Sequence, residues 1–349
     1  MFGGTVTLDE EGRVTVAVPV AGPLLVDPFA RVVDYLRLSV TDACQMACVY
    51  CRDPGTPRLD DRKLSDDELV TFVQACVLLG VRKVRITGGE PTLRRDLPAL
   101  IARLREVGPD LDLSLTTNGL RLRELAPSLK AAGLDRVNVS IDTLDPERFV
   151  ALTRGGQLDV VLDGLRAAMD AGLEPVKVNA VAWRGVNDGD VADLVALTID
   201  PGVHVRFIEY MTFPIRDVPQ YVPMDEVQAA IEARWGALEP AEDSAPDGGG
   251  PAVYWRLPAS SGARGMVGFI DPRRRPHFCE SCRRLRLTPD GKIRLCLFSD
   301  HEHDAVGRIR AGDGPEELAA WLQQIVVEKP VDFYVSQGRI ARTFSQIGG

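Results

Sequence analysis

The chain has 349 residues, 45% hydrophobic and 26% charged, enough for one large α/β domain and a smaller companion. No apolar stretch approaches the roughly 20 residues of a spanning helix, and the N-terminus lacks a basic region followed by an apolar one, so the reading is a soluble, unexported protein with no membrane partner. A net charge of −9 argues against nucleic acid as a partner, and seven cysteines, six of them in two tight groups, exclude a disulfide framework and point to metal in a reducing cytoplasm.

Residues 1 to about 30 carry the alternating patches Thr5-Val-Thr-Leu8 and Arg13-Val-Thr-Val-Ala-Val18 around Asp9-Glu-Glu-Gly12, which predict a β-hairpin ahead of the main domain. From Tyr35 short apolar runs alternate with amphipathic ones, the pattern of βα units on a parallel sheet. Strands are predicted over Tyr35–Val40, Lys83–Thr87, Asp112–Thr117, Arg136–Ile141, Val176–Ala182 and His204–Tyr210, and helices over Leu97–Val107, Leu122–Ala132, Leu158–Ala171 and Asp190–Leu197. Ser65-Asp-Asp-Glu68 predicts a capping box at the start of the first long helix, where Cys76 reads as a small core residue. The fold class is α/β: a partial (β/α)6 TIM-type barrel, with a smaller C-terminal α+β module. The predicted division is an N-terminal extension over 1–30, the barrel over 31–238, a mobile Pro/Gly-rich linker over 239–250 and the module over 251–349.

Cys44-Gln-Met-Ala-Cys48-Val-Tyr50-Cys51 follows the first barrel strand directly. Three thiolates can ligate three irons of a cubane [4Fe–4S] cluster and leave the fourth open for chemistry. The alternatives are cysteines that merely pack, or zinc, which wants a fourth ligand absent from this stretch. Gly88-Gly-Glu90-Pro91 ends the second strand, where two glycines let a ligand approach the backbone closely. Thr116-Thr-Asn-Gly119 and Asn138-Val-Ser140-Ile-Asp142 end the third and fourth; in β/α barrels such ends build the active site.

In the module, Cys279-Glu-Ser-Cys282 and Cys296 supply a second set of three thiolates. Here spacing leaves iron–sulfur and zinc level, since His277, His301 or His303 could close a Cys3His site. Arg37, Arg85, Lys177 and Arg206 interrupt strands otherwise built of Val, Ile and Leu. Four cations on separate strands point to an inward anion site, with planar Arg forks suited to phosphate oxygens. Arg284 and Arg286 alternate, so they share one face of a strand beside the second trio.

These motifs carry a resemblance. C-x3-C-x2-C with GGE resembles the radical S-adenosylmethionine (SAM) enzymes. LRLSVTDxC at Leu36 to Cys44, RKVRITGGEPTLR at Arg82 to Arg94, VNVSIDTLD at Val137 to Asp145, RFIEYM at Arg206 to Met211, FCESCRRLRLTPDGKIRLCLF at Phe278 to Phe298 and a terminal SQIGG resemble the GTP 3′,8-cyclases, which open molybdenum cofactor biosynthesis. The resemblance spans about residues 28 to 349. It implies two [4Fe–4S] clusters, one on Cys44, Cys48 and Cys51 and one on Cys279, Cys282 and Cys296. It implies SAM contacts at Tyr50, Gly88, Gly89, Glu90, Ser140 and Met211, and GTP contacts at Arg37, Arg85, Thr116, Lys177, Arg206, Arg284, Leu285 and Arg286. Arg37, Arg284 and Arg286, set by the tail Gly348-Gly349, would act in the reaction. An external electron donor, cyclic pyranopterin monophosphate synthase downstream, and a monomer or homodimer complete the implied setting.

The chain departs from the family pattern at Ala43, at Arg52-Asp53-Pro54, at Thr212 and at Arg283, where the family reads Asn. A cation beside the second cluster could change substrate pose. A paralogue acting on another nucleotide or a peptide is therefore one alternative, and a non-catalytic iron–sulfur or zinc protein that binds nucleotide is another.

Overall fold

Alternation of aliphatic and polar side chains along six strands becomes, in three dimensions, a sheet with two different faces. The computed structural model describes residues 5–8, 14–17, 23–52, 55, 57, 59, 63–211, 218–241, 250–275, 277–334 and 342–348. The predicted hairpin is present as β1 (Thr5–Leu8) antiparallel to β2 (Val14–Ala17). The main sheet runs β3 (Tyr35–Ser39), β4 (Lys83–Thr87), β5 (Asp112–Thr117), β6 (Arg136–Ser140), β7 (Lys177–Ala182) and β8 (His204–Glu209), all parallel and neighbours in chain order.

Between the strands lie α1 (Asp66–Leu78), α2 (Leu97–Val107), α3 (Leu122–Ala131), α4 (Pro146–Thr153), α5 (Leu158–Asp170) and α6 (Val191–Leu194); α7 (Met224–Trp235) follows β8. The capping box forms as predicted: Glu68 N–H donates to Ser65 Oγ at 3.2 Å and Ser65 N–H to Glu68 Oε2 at 2.8 Å. The helix predicted over 190–197 is shorter, because after one α-turn the chain tightens into a 3-10 turn over Val195–Thr198.

Strands added one after another by right-handed crossovers put every helix on the same face, and the sheet curls around the other. Leu36, Leu38, Ile86, Leu115, Val139 and Phe207 point to the helices and are fully buried with Phe72, Leu100, Ile101, Leu129 and Leu165 in one core. Truncating any of these to Ala costs about 2–5 kcal/mol. The curl is visible in the phenol of Tyr35 on β3, which burial raises but which Arg85, Arg37, Arg284 and Arg206 together hold below its ordinary pKa. Arg206 belongs to β8; across a flat sheet, five strand spacings would separate them by about 24 Å.

The chain after α7 extends this sheet at both edges. β11 (Val267–Ile270) lies parallel to β8 and carries β10 (Val253–Arg256) and β9 (Glu239–Pro240) outside it. β12 (Arg284–Leu287) lies parallel to β3, followed by β13 (Lys292–Arg294) and β14 (His303–Asp304). Three further helices, α8 (Ala305–Arg310), α9 (Pro315–Ile325) and α10 (Phe344–Ile347), complete the described chain. Of the predicted linker, 242–249 lies outside the described residues, as do Asp53, Pro54, Thr212 and Gly349. Among the described residues no helix is long and apolar enough to cross a membrane.

Candidate active site

The loop leaving β3 carries Cys44, Cys48 and Cys51, all half-buried free thiols, whereas Cys76 is fully buried in α1. Backbone bonds from Ala47 to Thr153 O (2.9 Å) and from Val49 to Leu152 O (3.0 Å) hold the loop on α4. Burial, reinforced by Cys44, pushes the Cys51 thiol up to about 12, and burial with Asp142 and the other two thiols pushes Cys48 higher still. Three sulfurs that disfavour each other's charge converge on one place, and a bound cation reverses the preference by taking the thiolates as ligands. Neither trio, among the described residues, brings its three sulfurs within 4.8 Å of one another. Thiolates on one tetrahedral zinc would stand about 3.8 Å apart, closer than either trio holds its three sulfurs.

Gly88 and Gly89 lie backbone to backbone on this loop. A Cβ on Gly88 would overlap the carbonyl of Thr41 and one on Gly89 that of Ala43, and the Gly89 and Glu90 amides donate to those carbonyls at 2.7 Å each. Ala43, one of the departures, acts here through its backbone. The Glu90 side chain turns inward, 1% exposed, and accepts from Thr92 N (3.0 Å), Thr92 Oγ1 (2.6 Å), Thr117 Oγ1 (2.7 Å) and Asn118 N (2.7 Å). Burial raises its carboxyl, and these four donors oppose the rise. Asn118, so held, directs Nδ2 at Cys44 Sγ, 3.8 Å away.

At the ends of β6 to β8, Tyr50 donates its hydroxyl to Asp142 Oδ2 at 2.7 Å, and Val181 N–H donates to Asp142 Oδ1 at 2.8 Å. Burial pushes the Asp142 carboxyl up to about 6 against those two donors. Trp183 meets Tyr50 edge-on at 6.4 Å and stacks on Tyr210 at 5.1 Å. Ser140 stands half-buried at the end of β6.

On the inner face, Arg286, Arg37, Arg85 and Ser114 are register partners across β12, β3, β4 and β5. Arg85 Nε donates to Ser114 Oγ at 3.1 Å, and Arg206 Nε and Nη2 donate to Asn179 Oδ1 at 2.9 and 2.6 Å. Lys177 and Arg206 are almost wholly enclosed, and Thr116 accepts from Asn138 Nδ2 at 3.3 Å. Burial and the nearby charges of Arg85 and Arg284 push Arg37 down to about 10; burial with Arg37 and Arg284 lowers Arg286 well below its usual value. Like charges side by side on adjacent strands repel, and a polyanion relieves that repulsion. The tail enters this row. Gly348, in the left-handed region at φ 67°, places its carbonyl 3.0 and 2.9 Å from Arg37 Nε and Nη2 and 3.2 Å from Arg286 Nη1. Ser345 of the same tail offers its amide to Cys51.

Cys282 lies two residues before β12 and Cys44 follows β3, so along this parallel pair the two trios bracket the arginine row. Burial alone would raise the Cys282 thiol, but Arg284 and Lys329 outweigh it and hold it at about 6, a thiolate at neutral pH. Lys329 donates to Arg284 O at 3.0 Å and Leu295 O at 2.6 Å, bracing the chain beside Cys282 and Cys296. Arg31 donates to the carbonyls of Cys279 (2.9 Å), Val331 (2.8 Å) and Pro330 (2.6 Å), tying the start of the barrel to this end. Met211 packs with Cys279 and Cys296 around Phe298 and Phe333. Leu285 faces the helices and is fully buried in the core, so toward the interior it presents backbone. Arg283 is half-exposed and ion-paired to Asp34, the residue before β3; its charge is neutralised away from the arginine row.

Residues 38–198 match the radical SAM superfamily, and residues 203–335 match Molybdenum Cofactor Synthesis C. The chain is 44% identical over 329 residues to the GTP 3′,8-cyclase of Pelotomaculum thermopropionicum, covering 93% of this chain and 99% of that protein. It is 44% identical over 333 residues to that of Heliobacterium modesticaldum, covering 93% and 100%. The chain belongs to the GTP 3′,8-cyclase family. Its fold is similar to that of Streptococcus suis SuiB bound to S-adenosylmethionine, with TM-score 0.62 at 16% identity over 84% of this chain and 66% of that one. SuiB bound to the precursor peptide SuiA gives 0.64 at 14% over 92% and 71%; both likenesses concern the fold alone.

The residues present fit the two [4Fe–4S] clusters and the SAM that GTP 3′,8-cyclases use. Each trio offers three free thiols on one stretch of fold, the set that holds three irons of a cubane and leaves the fourth open. Trp183 and Tyr35 are not among the predicted site residues, and Asn118 and Asp142 enter only as members of the polar strand ends, without a role of their own. Their signals were modest: a polar strand end, an aromatic after β7, an Asn-Gly turn, and a Tyr sharing the parity of Arg37.

Proposed function

We infer that this member of the GTP 3′,8-cyclase family is a radical SAM lyase that converts GTP to (8S)-3′,8-cyclo-7,8-dihydroguanosine 5′-triphosphate, the first step of molybdenum cofactor biosynthesis. When bound, the first cluster, given an electron by an external reductant, would cleave SAM to methionine and so supply the radical chemistry that removes hydrogen from C3′ of GTP.

The protein's own part is to hold, orient and enclose. Cys44, Cys48 and Cys51 hold the first cluster, with Gly88, Gly89, Ser140, Tyr50 and Met211 contacting SAM and Glu90 fixing the GGE turn from behind. Tyr50, set by Asp142, and the Trp183–Tyr210 stack offer apolar faces for a purine. Cys279, Cys282 and Cys296 hold the second cluster against the guanine. Arg37, Arg85, Lys177, Arg206, Arg284 and Arg286 take the triphosphate and ribose, with Thr116 and the Leu285 backbone beside them. Gly348, with Gly349 after it, fixes the forks of Arg37 and Arg286 so that they meet the substrate without reorganising.

The observation that carries this reading is the row Arg286–Arg37–Arg85, three cations in register bracketed by two cysteine trios and suited to a polyanion. Substrate change through Arg283 loses its main support, because that side chain pairs with Asp34. The setting is the cytoplasm, as monomer or homodimer, with an external reductant and with cyclic pyranopterin monophosphate synthase receiving the product.

The test is anaerobic reconstitution followed by reaction with SAM, reductant and GTP. About eight irons per chain, with 5′-deoxyadenosine and cyclised GTP formed together, is the expected result. 5′-Deoxyadenosine formed only with another nucleotide, or with a peptide, would overturn it.

A further inference from the structure

The turn between β13 and β14 ends in His301-Glu302 and His303 opens β14; in extended backbone alternate side chains go to opposite sides. Glu302 is taken by Arg294 at 3.0 Å and Arg342 at 2.7 Å. The two imidazoles face the other way, edge to face with centroids 4.6 Å apart. They meet Glu328, the last residue of the turn Val326–Glu328 that follows α9. Its Oε2 lies 2.9 Å from His301 Nε2 and 3.6 Å from His303 Nε2. Among the described residues, this is the one group of three His, Cys, Asp or Glu side chains whose ligand atoms all fall within 4.8 Å.

A second observation is independent of that clustering. The His303 side chain is 10% exposed, its ring held edge-on by Trp321 at 6.4 Å, and its Nε2 is buried without a hydrogen-bond partner. A buried ring nitrogen aimed at a carboxylate and a second imidazole, yet hydrogen-bonded to neither, is what a divalent cation satisfies. The His301 side chain, 61% exposed, leaves a path from solvent.

We propose that His301, His303 and Glu328 form a zinc site separate from both cysteine trios. Two neutral imidazole nitrogens and one carboxylate oxygen are an ordinary zinc set, with water in the fourth tetrahedral position. Glu328 is followed by Lys329, which braces the carbonyls of Arg284 and Leu295 beside Cys282 and Cys296. Zinc here ties the β13–β14 turn to that brace and stiffens the frame of the second trio.

The test uses the reconstituted holoenzyme, in which both trios are occupied and cannot capture the metal. It is incubated with zinc alone, passed through gel filtration and analysed for both metals. One zinc per chain is expected beside about eight irons. His301→Ala and Glu328→Gln each lower retained zinc about tenfold or more, with iron unchanged. His301 is exposed, so its variant folds, and the iron content reports that directly. The zinc X-ray absorption edge then shows nitrogen and oxygen neighbours and no sulfur at about 2.3 Å. Zinc absent from the wild type, zinc retained equally by the variants, or sulfur in the zinc shell would each overturn the proposal.

Discussion

Arg37, in the first barrel strand, gives two hydrogen bonds to the carbonyl of Gly348, 311 residues further along the chain. Gly348 sits at φ 67°, and a Cβ there would meet Thr87 Oγ1 at 2.5 Å. Gly348→Ala therefore displaces the carbonyl that fixes Arg37 and Arg286. Hydrogen bonds to charged groups are worth about 1.5–3 kcal/mol each, so cyclised product falls at least about 100-fold. Iron content and SAM cleavage without GTP stay within about twofold, because the cysteine loop is untouched. Equal loss of both reactions would contradict this division of labour.

Arg85 tests the triphosphate reading. Its guanidinium lies in register between Arg37 and Ser114, 7% exposed. Arg85→Ala raises the GTP dissociation constant about 100-fold, while Arg85→Lys, keeping charge without the fork, recovers only part. Titration calorimetry with GTP checks both, and unchanged GTP affinity in the alanine variant would remove Arg85 from the site.

A pH dependence follows from Asp142. Burial holds its carboxyl at about 6, against an ordinary 3.8, despite the Tyr50 and Val181 donors. Between those values the folded protein keeps a proton that the unfolded chain has released, so stability falls as pH rises and levels off above 6. Asp142→Asn has no such proton. The stability of wild type relative to this variant should drop by about 1 kcal/mol between pH 5 and 7 in urea unfolding. A difference that stays flat or grows with pH would contradict the assignment.

Lys329 is 3% exposed and holds two carbonyls next to cysteines of the second trio. Lys329→Met takes a charged donor from both carbonyls, at about 1–3 kcal/mol each. Iron analysis of the reconstituted variant should fall from about eight toward about four per chain, with the first cluster retained. Retention of all iron would mean that the brace is dispensable.

Much of this was legible because the polar residues interrupting each strand share one parity. Arg37, Arg85 and Lys177 stand out from Leu, Val and Ile neighbours, and strand ends at Thr87 and Thr117 coincide with Gly-Gly and Asn-Gly breaks. What periodicity cannot encode is which distant strand becomes a neighbour. The pairing of β12 with β3 puts Arg286 beside Arg37 and brings Arg283 to Asp34, so a cation suspected of altering the substrate is neutralised by a residue 249 positions away. Glu90 has a similar history. Its motif suggested a contact to the cofactor, yet its carboxylate is engaged by Thr117 and Asn118 beyond β5, partners that only the folded sheet supplies.

The most direct measurement of the central claim, a radical cyclisation of GTP inside this cation-lined barrel, uses GTP carrying deuterium at C3′. Mass spectrometry of the 5′-deoxyadenosine released during turnover should show one deuterium gained for each cyclised GTP formed. 5′-Deoxyadenosine free of deuterium, formed alongside the same product, would contradict hydrogen removal from C3′ and with it the placement of the ribose between the two cysteine trios.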